Sequence, residues 1–284
     1  MLPHPAILTP LVDSWIKEDI GRGDRTTMAI FPHGAPRGKA VWTVKKAGVV
    51  CGLPIGKLVF QRIDPHVNFQ ALVPEGAECS ENQEIAIIES DLASLLLAER
   101  VALNLAMRLS GISTLTREYV RKIQAVSAKV KLLDTRKLTP SMRLLEKYAT
   151  FIGGASNHRY GLDDAAMIKD NHISACGGIA PAVAKLRANL PFLTPIEVEV
   201  ENLEQVAEVA PLQVDAIMLD NMSVQDMAQA ISLIRALSPR TKIEASGGIT
   251  LDNIAEIAAL DLDFISTSAM ITRSSWLDMS MEIA

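Results

Sequence analysis

Ala216-Ile-Met-Leu-Asp-Asn-Met-Ser-Val-Gln-Asp-Met-Ala-Gln-Ala-Ile-Ser-Leu-Ile-Arg-Ala236, followed by Lys242-Ile-Glu-Ala-Ser-Gly-Gly-Ile249, reads as strand, helix and strand. A short apolar run ends in Asp220-Asn221, a helical stretch covers Val224 to Ala236, and a second run ends in Ser246-Gly247-Gly248. The cadence extends in both directions. Strands are expected at Val130–Leu133, Ala165–Ile168, Ile196–Val200, Ala216–Leu219, Lys242–Ala245 and Asp263–Ile265, and helices at Gly178–Ala188 and Leu203–Ala210 as well. Alternating β and α with short connections implies a parallel sheet. A complete eight-stranded barrel usually takes ~250 residues, so a six-stranded α/β barrel is favoured, with a doubly wound open sheet as the alternative.

Upstream the pattern differs. Thr9-Pro10-Leu11 has the form of a helix start, Thr capping and Pro at the first position, and Gly21 is its expected end. Strand-like segments follow at Lys39–Thr43, Gly48–Cys51, Val67–Leu72 and Glu84–Glu89. A helix from Leu92 to Leu109 is expected to break at Gly111 before another near Thr114–Gln124. The first third is thus an α+β domain with a small antiparallel sheet.

Composition narrows the function. The 284 residues are 49% hydrophobic and 21% charged, ordinary globular values. No apolar run reaches the ~18 residues of a membrane-spanning helix, and the start lacks the basic and apolar regions of a signal peptide. Three scattered cysteines, Cys51, Cys79 and Cys176, fit a reducing compartment, so a cytoplasmic protein is expected. A net charge of −5 with 4% aromatics argues against a nucleic-acid surface.

The strand ends concentrate the chemistry. In order they are Asp134-Thr-Arg-Lys137, Lys169-Asp-Asn-His172, Glu199, Asp220-Asn221, Ser246-Gly-Gly248 and Ser266-Thr-Ser268, with Asn157-His-Arg159 between the first two. Carboxyl ends of parallel strands are where such folds hold ligands. Two Arg, two Lys and two His converging there suggest a small substrate with several negative charges. Glu199 and Asp220, on consecutive strands, suit ribose hydroxyls or a Mg²⁺ already bound to a polyphosphate. Ser246-Gly247-Gly248 leads into a helix near Leu251–Ala259, an arrangement of backbone N–H groups and helix dipole suited to phosphate.

Nearly end to end, these motifs resemble quinolinate phosphoribosyltransferases. The resemblance is carried by Glu18-Asp-Ile-Gly-Arg-Gly-Asp-Arg-Thr-Thr27, Glu99-Arg-Val-Ala-Leu-Asn104, Leu109-Ser-Gly-Ile-Ser-Thr114, Asp134-Thr-Arg-Lys137, Asn157-His-Arg159, Ile168-Lys-Asp-Asn-His172, Glu197-Val-Glu-Val-Glu201, Ile217-Met-Leu-Asp-Asn221 and Ser246-Gly-Gly-Ile-Thr250. It implies an N-terminal α/β sandwich domain (1–112), a six-stranded α/β barrel (113–275) and a tail (276–284) returning to the first domain. It also implies transfer of phosphoribosyl from phosphoribosyl pyrophosphate to quinolinate with Mg²⁺ and loss of CO₂, giving nicotinate mononucleotide. Arg136, His158, Arg159 and Lys169 would bind the dicarboxylate, joined by Arg100 from the second subunit of a homodimer; such dimers could assemble into hexamers. Thr135 would line the substrate site, Lys137 would face pyrophosphate, and Glu199 and Asp220 the ribose and its metal. Ser246, Gly247, Gly248 and Ser268 would hold the 5′-phosphate; Lys137, Lys169, Glu199 and Asp220 are the expected catalytic groups. Ser268 departs from the family pattern, where a Gly is common, and Leu138 replaces a more usual Thr. Rivals are a molybdenum-transport paralogue of the same fold, a Schiff-base aldolase using Lys169, and a non-catalytic binding module.

Overall fold

In the computed structural model, which describes residues 2–284, the six apolar runs form one sheet. Its strands are Lys131–Leu133, Ala166–Ile168, Ile196–Val200, Ala216–Asp220, Lys242–Ser246 and Phe264–Ser266, every pairing parallel. From the second strand to the sixth, chain neighbours are sheet neighbours, and the first strand pairs with the sixth. A doubly wound sheet reverses its order part-way; this one instead runs round like a barrel opened between its first two strands. At that opening Ser156 bridges Leu133 in parallel, its N–H donating to Leu132 O at 2.8 Å. The expected six-stranded α/β barrel is therefore observed in barrel-like form.

Pleating decides what each strand shows to the site. Val198, Val200, Ile217, Leu219, Ile243 and Ala245 have no solvent exposure and form the apolar face. Alternation leaves Glu197, Glu199, Met218, Asp220, Glu244 and Ser246 on the other. The register puts Met218 beside both Glu199 and Glu244, and Asp220 beside Ser246. Of that second set, Glu199, Met218, Asp220 and Ser246 line one cavity, which marks this face as the candidate site.

The chain separates into two compact units, one comprising the chain up to Arg117 with Leu144–Gly154 and Arg273–Ala284, the other Glu118–Arg143 with Ala155–Thr272. In the first, an antiparallel sheet has the order Met279–Ile283, Arg37–Val44, Glu84–Asp91, Asn68–Ala71. Trp42, fully buried, packs edge-on against Phe69 at 5.7 Å and tilted against Phe60 at 6.0 Å. The helix Arg143–Gly153, which the sequence did not announce, joins this unit through Ser113 Oγ donating to Ala149 O at 2.7 Å and the Arg108–Glu146 ion pair at 2.7 Å.

Two helix boundaries differ from expectation. The first helix is Pro5–Ile20, because His4 Nδ1 accepts from Ala6 N at 3.1 Å and Pro5 takes the first position, leaving Pro10 inside the helix. It ends at Gly21 as expected. Leu92–Gln124 is one continuous helix through Gly111. A Cβ on Gly111 would lie 1.9 Å from Ser275 O, so this glycine serves close backbone packing rather than termination. Among the described residues no helix is long and apolar enough to cross a membrane.

Candidate active site

Asp134, at the end of the first barrel strand, has no solvent exposure. Its carboxylate accepts from Asn157 Nδ2 at 2.6 Å and from His158 N at 2.9 Å, which fastens the Asn157-His158-Arg159 segment to that strand. Thr135 Oγ1 accepts from Lys137 N at 3.0 Å and turns the Arg136-Lys137 pair across the strand end. These segments wall a cavity of about 470 Å³ together with Met167, Lys169, Glu199, Met218, Asp220, Ser246 and Ser266. That volume suits a small ligand.

Thr135, Arg136, Lys137, His158, Arg159, Lys169, Glu199, Asp220 and Ser246 are thus gathered as the motifs suggested. Lys169 Nζ is ion-paired with Glu199 Oε2. Arg159 donates to Ala165 O at 2.8 Å and approaches Met167 Sδ at 3.6 Å. Burial, and then the neighbouring Arg136 charge, hold the Arg159 guanidinium below its ordinary pKa. A cation disfavoured by burial and by a like charge gains when an anion enters between the two.

Two other expectations need correction. His172 does not line the cavity; it is exposed and its Nδ1 accepts from Lys169 N at 3.1 Å, a cap on the short helix Asp170–Cys176. The helix expected from Leu251 is only Ile254–Ala258, so any phosphate attraction after Ser246 comes from the turn and not from a helix dipole. Gly247 and Gly248 form that turn with φ of +83° and +63°, beside the cavity wall rather than in it. Ser268 also lies outside the wall, where its carbonyl accepts from Ile271 N and Thr272 N at 2.9 Å. Its φ is not left-handed, so the backbone carries its side chain without strain. Arg100 belongs to the first unit, exposed and paired with Glu99 at 3.4 Å.

Glu199 and Asp220 supply oxygen donors of the kind Mg²⁺ prefers. Neither belongs to a closed cluster of protein ligands among the described residues. Such a pair fits an ion that keeps most of its shell as water and substrate oxygens. The sequence did not single out Glu244, which no local motif marks and which lies 3.6 Å from His158, nor Met167 and Met218, which add apolar surface to the cavity wall.

Over residues 24–110 the chain matches the family described as quinolinate phosphoribosyl transferase, N-terminal domain, and over 112–282 the C-terminal domain of the same family. The chain belongs to the quinolinate phosphoribosyl transferase family. It is 51% identical over 283 residues to a probable nicotinate-nucleotide pyrophosphorylase [carboxylating] of Synechocystis, covering 99% of this chain and 94% of that protein. The Homo sapiens nicotinate-nucleotide pyrophosphorylase [carboxylating] is 34% identical, covering 100% of this chain and 94% of that protein. Among solved structures, NadC from Streptococcus pyogenes superposes with a TM-score of 0.94 at 39% identity, covering 100% of this chain and 99% of that one. The two family matches together span the antiparallel sheet and the barrel that carries the cavity.

Proposed function

We propose that this protein transfers the phosphoribosyl group of phosphoribosyl pyrophosphate to quinolinate, releasing pyrophosphate and CO₂ and forming nicotinate mononucleotide for NAD biosynthesis. The observation that carries this is one cavity joining Arg136, Lys137, Arg159 and Lys169 to the carboxylates Glu199 and Asp220, in a chain of that family. Two Arg forks match a planar dicarboxylate. The acids match a ribose that becomes positive as its bond to pyrophosphate breaks.

The chemistry follows from these charges. The pyridine nitrogen attacks the anomeric carbon as the bond to pyrophosphate breaks and its electrons leave with that group. Lys137 stabilises the departing charge; Glu199 and Asp220 face the oxocarbenium-like centre. The resulting pyridinium draws in the electron pair of the adjacent ring–carboxylate bond, CO₂ departs, and the ring carbon takes a proton. Mg²⁺, when bound with the polyphosphate, supplies further charge neutralisation for the leaving group. No enzyme nucleophile is needed. A Schiff-base role for Lys169 is less favoured, since its ammonium faces Glu199 rather than an apolar pocket.

The free thiols of Cys51, Cys79 and Cys176 fit a reducing, cytoplasmic setting. The assembly is a homodimer in which Arg100 of a second copy completes each site; its exposed guanidinium supports that role. Incubation with quinolinate, phosphoribosyl pyrophosphate and Mg²⁺, following CO₂ and pyrophosphate together, tests the reaction; release of neither refutes it.

Two finer expectations follow. Arg136→Lys should weaken quinolinate binding about tenfold or more with little change for phosphoribosyl pyrophosphate, because one ammonium cannot make two parallel bonds to a carboxylate. Steady-state kinetics with each substrate varied would show it, and a change under about threefold in kcat/KM removes Arg136 from the dicarboxylate site. Arg100→Ala and Lys169→Ala proteins should each be nearly inactive alone. Mixed by co-expression they should regain roughly a quarter of native activity, since half the dimers are mixed and each has one intact site. No recovery in confirmed mixed dimers means Arg100 does not serve the partner's site.

A further inference from the structure

At the cavity wall His158 meets two carboxyl groups, and the reaction above does not use the three as a group. His158 Nε2 lies 3.1 Å from Glu197 Oε2 and 3.6 Å from Glu244 Oε2. The side chains of Glu197 and Glu244 are only 11% and 3% exposed. On the far side of the imidazole, Nδ1 accepts from Arg159 N at 2.7 Å. A ring nitrogen that accepts a hydrogen bond has no proton of its own, so the single ring proton sits on Nε2 and points at the acids. His158 is therefore neutral in this arrangement, with both nitrogens engaged by the protein. It cannot also be a cation offered to substrate.

The two acids cannot both be charged at this depth. Burial first, and then the Glu197 charge, push the Glu244 carboxyl up to about 8. Glu244 Oε1 is buried without a well-formed hydrogen bond, and His158 and Ser266 offset only part of what burial costs a negative charge there. We propose that Glu244 is a positioning residue. As the neutral partner of Glu197, it keeps that carboxylate aimed at His158 Nε2–H, and the His158 ring in turn fixes the Arg159 backbone whose guanidinium serves the dicarboxylate. Glu197 acts on both links, since its charge also favours the Arg159 cation. The functional part of this inference rests on the cavity being a quinolinate site; the proton arrangement does not.

A metal ion is the competing explanation, because the three ligand atoms lie within 4.8 Å of one another. A metal on Nε2 would leave the ring proton on Nδ1, where it would meet the Arg159 N–H donor to donor. Histidine ligands normally donate from that second nitrogen. The geometry points to a shared proton and away from an ion.

The test pairs kinetics with spectroscopy. Glu244→Gln keeps the shape and a donor, so it should stay within about threefold of native kcat/KM for quinolinate. Glu244→Leu removes the donor and should raise the quinolinate KM about tenfold or more while the KM for phosphoribosyl pyrophosphate stays within about twofold. Histidine ¹⁵N spectra of the native protein, assigned with His158→Gln, should show His158 as the neutral Nε2–H form. An imidazolium or Nδ1–H signal overturns the proposal, as does stoichiometric zinc in the purified protein. A Leu variant with native quinolinate KM, or a Gln variant as impaired as Leu, also overturns it. If Glu244→Leu does not fold, the Gln variant and the native spectrum decide. Absence of quinolinate turnover in the native protein refutes the substrate and the positioning role together, whereas a wrong tautomer in a protein that turns quinolinate over refutes the positioning role and leaves the substrate standing.

Discussion

Lys169→Ala is expected to lower kcat/KM for phosphoribosyl transfer about 1,000-fold, some ~4 kcal/mol of transition-state stabilisation. Two losses combine. The cavity forfeits one of its four Arg and Lys side chains. Glu199, with a side chain only 12% exposed, also loses its ion-pair partner, and a mostly buried carboxylate without a counter-charge repels the very groups the site must bind. The fold should survive, because the Lys169 side chain is 42% exposed and supports no core packing. Kinetics with both substrates, alongside thermal unfolding, separate the two effects. A loss under about tenfold with an unchanged melting temperature would remove Lys169 from the catalytic set.

Gly247→Ala is expected to destabilise the barrel by about 2–4 kcal/mol, the sum of a left-handed conformation for an L-residue and of overpacking. It should also abolish detectable binding of phosphoribosyl pyrophosphate. At φ +83° a Cβ would lie 2.2 Å from Asn221 Oδ1 and 2.8 Å from Asn221 N. Asn221 cannot yield cheaply. It is itself left-handed, at φ 54°, and its Nδ2 donates to Asp220 Oδ2 at 2.7 Å. Displacing it moves a carboxylate of the cavity wall. Gly248 is the internal control: at φ +63° its added Cβ meets nothing within 4 Å, so Gly248→Ala should cost only about 1–2 kcal/mol. Calorimetric titration with phosphoribosyl pyrophosphate and thermal unfolding of both variants check this. Equal damage from the two would show that the Asn221 contact is unimportant.

The barrel was legible because each strand is a short apolar run ended by polar residues. All six were located to within a residue at each end. Its cavity was legible for the same reason: strand ends converge whatever the details of packing. What the sequence hid depends on contacts between distant residues. Glu244 lies between Ile243 and Ala245 and reads locally as an ordinary alternation; only the fold brings it to His158 and Glu197. Gly111 reads as a helix breaker because glycine disfavours helices, yet the approach of Ser275 overrides that preference. His172 looked like a site residue by its company in Lys169-Asp170-Asn171-His172, but a one-turn hydrogen bond back to Lys169 N keeps it at the helix cap.

The strand Met279–Ile283 pairs along Arg37–Val44, from Ala40 opposite Ile283 to Val44 opposite Met279. During vectorial synthesis the early strand therefore leaves the ribosome with one edge unpaired, and waits until the rest of its own unit and the whole barrel have followed. An exposed strand edge in a nascent chain is a template for wrong pairings and a target for chaperones. The barrel segments have no such dependence on the last strand, so the order of maturation is inverted: the portion made first is finished last.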